Sequence, residues 1–368
     1  MLLLEIERDA LVQLLQSVTG VVEKRHTMPI LSNVLLEQNN GILSLLASDQ
    51  DMQIRVSSTL LQPFPSFAIT VAARKFFDIC RALQGNSKVT LIADKQQLQI
   101  RANKSRFNLQ TLPAKDFPVL QTAEVENSTI NLPSNVFKKL VLQVQYAMAQ
   151  QDVRYYLNGM LLSTGANNIT VVATDGHRLC LVSHTNTTGN IKQEIIIPRK
   201  TVHELVKLLD ESTDIIKITI YPNQVKFEFC QTQLISKVID GKFPDYHRVI
   251  PTTHQNNLTV NRVMLLQALQ RASILSNEKF RGVRLVLSQD ELKIICNNNE
   301  QEEAIEEIDI HYRGEPLDIG FNVTYLLDAL NQLTEEEITC HFGDAASSML
   351  ITLPTDDFYR YVIMPMRI

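Results

Sequence analysis

The sequence predicts an α+β protein built from three tandem copies of one domain. Two observations predict this fold class: helix-like segments alternate with groups of strand-like segments, and the same order of segments returns twice. The composition agrees with a globular protein, since 45% of the 368 residues are hydrophobic and 20% are charged. The length is sufficient for two or three domains that each bury a core.

The first copy begins with an amphipathic segment, 8–18, in which apolar residues recur at helical spacing. A second amphipathic segment spans 73–83. Strand-like runs complete the copy at 32–37, 42–47, 89–92, 97–102 and 106–112. The copy closes with Asp-Phe-Pro (116–118), and the second copy closes with Lys-Phe-Pro-Asp (242–245).

The second and third copies repeat this order. Helical patterns span 135–148 and 198–209 in the second copy, and Ser134 is a suitable N-cap for the first of them. In the third copy the helical patterns span 261–273 and 322–333. Strand-like runs follow the first helix of each copy at 160–163, 169–173, 284–288 and 292–296.

The spacing between equivalent helices fixes the period of the repeat. The first helices of the copies start 126 and 127 residues apart, and the second helices start 125 and 124 residues apart. We therefore expect domains at 1–125, 126–250 and 251–368. No linker rich in Gly, Ser or Pro separates the copies, which predicts domains that abut.

The charge is distributed unevenly between helices and the rest of the chain. The chain carries a net charge of −5, whereas the six helical segments together carry +5. Lys and Arg favour helices, which is one explanation. The other is a helical surface that meets DNA phosphates without reading sequence. Few aromatic residues are available for stacking on bases, so the backbone of duplex DNA is the better match.

Several functional classes are excluded by what the sequence lacks. The five cysteines are scattered and include no C-x-x-C pair, which argues against a disulfide framework or a zinc site, and we expect all five to be small buried hydrophobic residues. Phosphate-binding and catalytic signature motifs are absent, and we expect no cofactor and no metal. No apolar run approaches the length of a membrane span. Glu5 interrupts the leading apolar residues, so we expect a cytoplasmic protein with no membrane partner.

One stretch, Val172–Leu179, resembles an active site because Thr, Asp, His and Arg crowd around one Gly. The simpler interpretation is a turn between two strands, since Asp-Gly is a common turn dipeptide. The alternative is a nuclease-like acid–base enzyme that uses Asp175 and His177. No nucleophile, metal cluster or phosphate loop accompanies these two residues, so we expect no catalytic residues and no enzyme.

Six runs carry a resemblance to a known family. They are Arg-His-Thr-Met-Pro-Ile-Leu-Ser-Asn (25–33), Gln-Asp-Val-Arg-Tyr-Tyr-Leu-Asn-Gly-Met (151–160), Ala-Thr-Asp-Gly-His-Arg-Leu (173–179), Phe-Pro-Asp-Tyr (243–246), Ser-Asn-Glu-Lys-Phe-Arg-Gly-Val-Arg (276–284) and the terminal Met-Pro-Met-Arg-Ile. Together they resemble the bacterial sliding clamps, the beta subunits of DNA polymerase III. The resemblance spans the whole chain.

The resemblance implies a head-to-tail homodimeric ring of clamp domains, with helices lining a central hole and sheets outside. It implies a processivity factor that encircles double-stranded DNA without sequence specificity. Short peptides would tether the replicative DNA polymerase, the clamp loader, other polymerases and repair proteins to it. The residues implied to contact DNA are Arg25, Arg74, Gln151, Tyr155, Tyr156, Arg199 and Lys200; for the two tyrosines, a place in the core stays an equal alternative.

The resemblance also implies a partner-peptide pocket and a dimer interface. The pocket residues are Leu157, Thr174, Gly176, His177, Arg178, Leu179, Pro244, Arg248, Val249, Ser348, Val362, Met364, Pro365, Met366 and Arg367. The interface residues are Lys75, Lys104, Arg106, Phe107, Ile274, Leu275, Glu300, Glu302, Glu303 and Glu306. Two residues depart from the family pattern near the pocket: His247 replaces a second basic residue, and the chain ends in Ile368 instead of Leu.

Overall fold

A computed structural model of the protein describes residues 1–23, 28–122, 125–165, 167–185, 192–254, 256–354 and 356–367. Within these ranges the chain forms one order of elements three times: a strand, a helix, four strands, a second helix and three strands. The predicted three-fold repeat and α+β class are therefore confirmed.

The first copy contains β1 (Leu2–Glu7), α1 (Arg8–Thr19), β2 (Asn33–Asn39), β3 (Ile42–Ser48), β4 (Met52–Thr59), β5 (Phe67–Ala72), α2 (Ala73–Ala82), β6 (Lys88–Asp94), β7 (Gln97–Ala102) and β8 (Ser105–Leu112). Helix α1 buries Leu11, Leu15 and Val18, which share one face at helical spacing. Helix α2 buries Phe76 and Cys80, one turn apart. The two helices pack on each other, and α1 also packs on β3 and β4.

The second copy contains β9 (Ser128–Pro133), α3 (Ser134–Gln145), β10 (Gly159–Thr164), β11 (Asn168–Thr174), β12 (Arg178–Thr185), β13 (Gln193–Pro198), α4 (Arg199–Leu208), β14 (Ile215–Ile220), β15 (Gln224–Phe229) and β16 (Thr232–Lys237). Strands β10 and β11 are apolar and almost continuously buried. Such strands have both faces covered, which explains why they lack a clear alternation of polar and apolar residues.

The third copy contains β17 (Asn256–Asn261), α5 (Arg262–Ala272), β18 (Gly282–Ser288), β19 (Glu291–Asn297), β20 (Glu303–Asp309), β21 (Leu317–Asn322), α6 (Val323–Gln332), β22 (Glu337–Phe342), β23 (Met349–Leu353) and β24 (Asp356–Ile363). Asn261 and Asn322 cap α5 and α6, because each side chain accepts a backbone N–H of the first turn. Strands β18 and β19 alternate buried and half-buried residues, so one of their faces covers the core.

The chain divides into two compact units. Unit 1 comprises Met1–Phe137 and His203–Val238, and unit 2 comprises Lys138–Val202 and Ile239–Ile368. The second copy is thus shared between them, with its last three strands in unit 1 and its β10–β13 strands in unit 2. Each unit follows a sheet that joins strands from two copies, so the units do not test where one copy ends and the next begins. The domain boundaries predicted at residues 125 and 250 therefore stay a prediction.

Each unit is built on antiparallel sheets that join two copies of the repeat. Unit 1 has one twelve-stranded sheet, in which β4 of the first copy pairs with β16 of the second. Unit 2 has an eight-stranded sheet, in which β12 of the second copy pairs with β24 of the third. A four-stranded sheet, ordered β20-β19-β18-β21, completes unit 2.

The helices and cysteines mostly match the expectations from the sequence. All six predicted helices are present and begin within a residue of the predicted starts. No described helix is long and apolar enough to cross a membrane. Four cysteines are buried, but Cys230 is exposed, so the expectation that all five are core residues is wrong for that position. Cys230 lies in the tight turn between β15 and β16 with a φ of 47°, which leaves its side chain at the surface.

Candidate functional site

The Asp175-Gly176-His177 segment is a tight turn that joins β11 to β12, as the simpler interpretation predicts. The Asp175 carboxylate accepts the backbone N–H groups of His177 at 2.9 Å and Arg178 at 3.0 Å. The Thr174 hydroxyl donates to the Arg178 carbonyl at 2.6 Å. Gly176 has a φ of +90°, a conformation that L side chains rarely adopt.

The first copy has the same turn at the equivalent place, and the third copy has a longer relative of it. Between β3 and β4, the Asp49 carboxylate accepts the N–H groups of Asp51 at 2.9 Å and Met52 at 2.7 Å. The connection between β19 and β20 is two residues longer, and there the Asn298 side-chain oxygen accepts the N–H groups of Glu300 at 3.0 Å and Glu302 at 2.9 Å. An acidic or amide residue thus has a structural role in all three copies, and only the middle copy follows it with His-Arg-Leu.

A cavity of about 180 Å³ opens beside this turn in unit 2. Its floor is one face of the eight-stranded sheet, where Thr174, Leu179 and Val362 are paired neighbours on β11, β12 and β24. The segment 243–250 packs on the same sheet face. The lining residues are Arg154, Tyr156, Leu157, Thr174, Gly176, His177, Arg178, Leu179, Pro244, Tyr246, Val249, Val362 and Met364. The walls are mainly apolar with a few polar groups at the edge, which is typical of a ligand pocket.

Arg178 is the most heavily engaged side chain of the cavity. Its guanidinium donates to Asp175 at 3.1 Å, to Asp328 of α6 at 2.6 Å and to the Tyr146 carbonyl at 2.5 Å. It also lies over the Tyr325 ring, 4.4 Å from the centroid. Burial opposes its charge, but Tyr361, Asp328 and Asp175 outweigh burial and raise the pKa of Arg178 above the usual value. The side chain is 10% exposed, so it supports the pocket wall from behind.

Arg154 is a pocket residue that the sequence analysis missed. It donates to the Asp175 carbonyl at 3.1 Å and forms two hydrogen bonds with Asp152. These hydrogen bonds lower the pKa of Asp152 to about 2. A Cβ at Gly176 would lie 2.9 Å from the Arg154 guanidinium. A side chain at residue 176 would therefore force the Arg154 guanidinium to move from its place at the cavity.

Ten of the fifteen residues predicted for the pocket line this cavity. The other five are Arg248, Ser348, Pro365, Met366 and Arg367. Arg248 is exposed and pairs with Asp245 at 2.9 Å, while the Ser348 carbonyl is 2.6 Å from a ring nitrogen of His254. The Met366 N–H donates to the Gly320 carbonyl, which directs the chain away from the cavity after Met364. Ile368 lies outside the described residues.

Two further aromatic residues line the cavity. Tyr156 and Tyr246 pack against the apolar cluster of the sheet face. Tyr156 was proposed for DNA contact with a core position as the alternative, and it lies at the pocket. Tyr155 beside it is 57% exposed. A signal for Tyr246 was present in the sequence, since it follows Phe-Pro-Asp in one of the runs that carry the family resemblance.

The remaining residues proposed for DNA contact are distributed over both units. In unit 1, Arg74 is exposed and donates to the Val22 carbonyl at 2.6 Å. It lines a wide cavity together with Arg81 and Lys207. In unit 2, Gln151 is exposed, and Arg199 donates to the carbonyls of residues 148 and 149. Lys200 is half-buried, and Arg25 lies outside the described residues.

The residues proposed for a dimer interface lie at two strand edges. In unit 1, Lys104, Arg106 and Phe107 lie on or beside β8 and are exposed, as is Lys75 at the start of α2. In unit 2, Glu300, Glu302 and Glu303 are exposed at or before β20, and Ile274 is 77% exposed. Leu275 is half-buried beside it. Glu306 already binds Arg271 through two hydrogen bonds of 2.6 and 2.9 Å.

Known proteins match this chain along nearly its whole length. Models of the N-terminal, central and C-terminal domains of the DNA polymerase III beta subunit match residues 2–121, 131–245 and 247–367. The beta sliding clamp of Pseudomonas putida is 43% identical over 367 residues, and that of Escherichia coli K12 is 43% identical over 365 residues; each alignment covers 99% of both chains.

Solved structures agree with the sequence comparison. A DNA polymerase sliding clamp from Pseudomonas aeruginosa has a TM-score of 0.95 at 40% identity, and a sliding clamp from the same organism bound to griselimycin has a TM-score of 0.96 at 41% identity. Both alignments cover 100% of each chain. With three domain models and full-length relatives in agreement, the chain belongs to the DNA polymerase III beta subunit family, the beta sliding clamps.

Proposed function

We propose that this protein is a DNA sliding clamp that closes into a head-to-tail homodimeric ring around duplex DNA. The observation that supports the ring most strongly is the pairing between copies of the repeat. The fourth strand of the first copy, β4, pairs with the last strand of the second, β16. The fourth strand of the second copy, β12, pairs with the last strand of the third, β24.

One strand of each kind then remains for pairing with another chain. Strand β20 is the fourth strand of the third copy and lies at the edge of its four-stranded sheet. Strand β8 is the last strand of the first copy, and its 105–110 stretch pairs with β7 on one side alone among the described residues. In both observed pairs, the fourth strand of one copy pairs with the last strand of the next copy. The same pairing between chains would join β20 of one chain to β8 of a second. Because the two edges are different surfaces, such a contact is head-to-tail, and the ring that we propose is the dimer closed by two of these contacts.

Charges and apolar groups at these edges are complementary. Lys104 and Arg106 lie at β8, and Glu300, Glu302 and Glu303 lie at or before β20. Phe107 is 37% exposed on β8, and Ile274 is 77% exposed near β20. Opposite charges would steer two chains together, whereas burial of the apolar side chains would supply most of the affinity.

The helices are the surface that we assign to DNA. Their sequence is basic although the chain is acidic overall, and Arg74, Arg81 and Lys207 lie around one wide cavity in unit 1. Such charges bind phosphates without reading bases. A small excess of positive charge suits sliding, because many tight phosphate contacts would hold the ring in one place.

The cavity beside the Asp175 turn is the site that we assign to partner peptides. Its mainly apolar walls include Met364, which is 48% exposed and can adapt to different side chains. The partners that we propose are the replicative polymerase, the clamp loader, other polymerases and repair proteins. The bacterial cytoplasm, where the chromosome lies, is the compartment that we propose.

We propose that the protein works without catalysis. The Asp175 carboxylate is occupied by two backbone N–H groups and by Arg178, and Asp49 holds the same turn in the first copy. This structural use argues against the alternative of an acid–base pair formed by Asp175 and His177. The described residues also contain no group of three or more His, Cys, Asp or Glu side chains suited to holding a metal ion.

Retention on DNA of different topology tests the clamp. The protein is loaded onto nicked circular DNA by a clamp loader, and the complex is separated from free protein by gel filtration. We expect the protein to stay on the circle and to be lost when a restriction enzyme linearises the DNA. Equal retention on circular and linear DNA would contradict encirclement and would indicate ordinary DNA binding.

A further inference from the structure

A second cavity of about 650 Å³ lies on the same sheet face as the peptide pocket. We name it the outer groove and define it by the lining residues that distinguish it: Ser163, Thr170, Ser183, Lys192, Glu194, Lys242, His247, Phe358 and Arg360. Pro244 and Tyr246 line both cavities. The segment 243–250 therefore forms a low ridge with the pocket on one side and the outer groove on the other.

The floor of the outer groove differs chemically from that of the pocket. Ser163, Thr170 and Ser183 are neighbours on β10, β11 and β12, and the Thr170 and Ser183 hydroxyls are 2.8 Å apart. The equivalent row in the pocket is formed by Thr174, Leu179 and Val362. These hydroxyls lie beside Leu161 and Leu181, which also line the groove, so its floor offers hydrogen-bonding groups that the corresponding row of the pocket largely lacks.

The charges of the outer groove favour an acidic occupant. Two acidic residues line the groove, Glu194 and Asp245. Glu194 pairs with Lys192 at 3.5 Å and Asp245 pairs with Arg248 at 2.9 Å, so both already have a cation. Lys242 and Arg360 are exposed, and neither has a carboxylate within ion-pair distance among the side chains that the structure describes. Two cations thus remain for a ligand. The Phe358 ring, 47% exposed, adds an apolar surface beside them.

We infer that the outer groove binds an acidic segment flanking the apolar anchor of a partner peptide. This inference rests on the proposed peptide pocket, because the anchor must occupy that pocket. Thr174 and Thr170 are four residues apart on β11, a span of about 13 Å at about 3.3 Å per residue. An extended flank of four or more residues therefore crosses Pro244 and Tyr246 and reaches Lys242 and Arg360.

Fluorescence anisotropy on the full-length protein tests the inference. The probes are fluorescein-labelled peptides with a Leu-Phe anchor and a six-residue flank, either of glutamates or of alternating Gly and Ser. Each flank is placed before the anchor in one peptide and after it in another, because the structure leaves the chain direction open. We expect one glutamate peptide to bind about three- to tenfold more tightly than its Gly-Ser partner at low salt. We expect 0.5 M salt to remove most of that gain.

Charge-removing variants assign the gain to the outer groove. Lys242→Gln with Arg360→Gln should remove the gain and leave the affinity for the Gly-Ser peptide unchanged. The matched control is Lys279→Gln with Arg313→Gln, which removes two exposed charges of unit 2 that line neither cavity. This control should keep the gain. Loss of the gain in both double variants would mean long-range attraction and would overturn the groove assignment.

The remaining outcomes separate this inference from the proposed function. If the Gly-Ser peptides bind and the glutamate peptides bind no better, the pocket stands and the outer groove is refuted. If the gain survives Lys242→Gln with Arg360→Gln, the acidic flank binds elsewhere and the inference is also refuted. If no peptide binds the unaltered protein, the peptide pocket fails together with the inference.

Discussion

At the scale of single residues, the pocket depends on contacts that lie behind its surface. Arg178 links the turn residue Asp175 to Asp328 on α6 and to the Tyr146 carbonyl just after α3. Its three nitrogens are therefore occupied within the protein. A residue in this position fixes the shape of the pocket wall and has little capacity left to donate hydrogen bonds to a peptide.

Arg178→Ala should lower stability much more than Arg248→Ala. Both arginines pair with an aspartate three residues earlier, but the Arg178 side chain is 10% exposed and the Arg248 side chain is 86% exposed. Removing Arg178 leaves Asp175 and Asp328 without their cation in a partly buried site, at a cost of about 2 to 3 kcal/mol. Removing Arg248 should cost less than about 0.5 kcal/mol. Urea unfolding followed by circular dichroism measures both, and equal midpoints would contradict the buried role of Arg178.

Gly176→Ala should reduce peptide affinity, whereas Gly41→Ala should not. Both glycines have positive φ, +90° and +79°, so each substitution has a conformational cost of about 1 to 2 kcal/mol. A Cβ at residue 176 would also lie 2.9 Å from Arg154, while a Cβ at residue 41 would meet open space. Arg154 must then move at the pocket edge. Peptide titration by anisotropy compares the two variants, and equal affinities would show that Arg154 does not shape the pocket.

The composition of the pocket was partly predictable from the sequence. The Asp-Gly dipeptide predicted the turn, and the family resemblance supplied most of the lining residues. Arg154 was missed because an exposed-looking Asp-x-Arg sequence gives no sign of its hydrogen bond to the Asp175 carbonyl. Tyr156 was assigned elsewhere, since residue type alone does not reveal which of two adjacent tyrosines packs on the sheet. These contacts are between distant parts of the chain.

At the scale of elements, an arginine joins the two helices of a copy. Arg8 is the first residue of α1, and its guanidinium donates to the Cys80 and Arg81 carbonyls of α2. Arg262 is the first residue of α5, and it donates to the Leu330 carbonyl in the last turn of α6 and to the Glu335 carbonyl three residues after that helix, both at 2.9 Å. A cation at a helix C-terminus satisfies carbonyls that have no partner within the helix.

Arg262→Ala should destabilise unit 2 more than Arg271→Ala does. The first substitution removes two charge-assisted hydrogen bonds to half-buried carbonyls, a loss of about 2 kcal/mol. The second substitution also lies on α5, but it removes a more exposed ion pair between Arg271 and Glu306 of β20. The expected loss is below about 1 kcal/mol. Differential scanning calorimetry should show the larger fall in Tm for Arg262→Ala. The reverse order would refute the proposed role of Arg262 at the end of α6.

The elements themselves were largely predictable, because helical periodicity and the repeat period place all six helices. The sheets were not. Nothing in the spacing of β4 or β16 predicts that they pair across two copies, since register depends on which faces meet in the folded chain. The buried strands β10 and β11 also lack the alternation that would distinguish them from buried helix.

At the scale of the whole molecule, the repeat explains why we expect a second chain. The β4–β16 and β12–β24 pairs satisfy two of the three possible contacts between copies, and β20 and β8 are the strands that the rule leaves over. Exposed strand edges are prone to pair with other chains, so proteins usually protect them. Pairing in a closed dimer would protect both edges at once.

Ile274→Ala combined with Leu275→Ala should convert the dimer into monomers. Both residues lie in the short 3₁₀ turn Ser273–Leu275 near β20, and Ile274 is 77% exposed in a single chain. Truncating two apolar side chains that the proposed interface would bury should cost about 3 kcal/mol per interface, or about 6 kcal/mol for the two interfaces of a ring, on the order of 10⁴-fold in Kd. Sedimentation equilibrium at micromolar concentration measures the change.

The matched control for this change is Val263→Ala with Met264→Ala. These residues are 41% and 52% exposed on α5, the same helix region, but lie outside the proposed interface. The control should sediment as a dimer, like the unaltered protein, because truncating solvent-exposed side chains removes no contact with a partner. A dimeric Ile274→Ala, Leu275→Ala variant would place the interface elsewhere, and a monomeric unaltered protein would refute the two-chain ring itself.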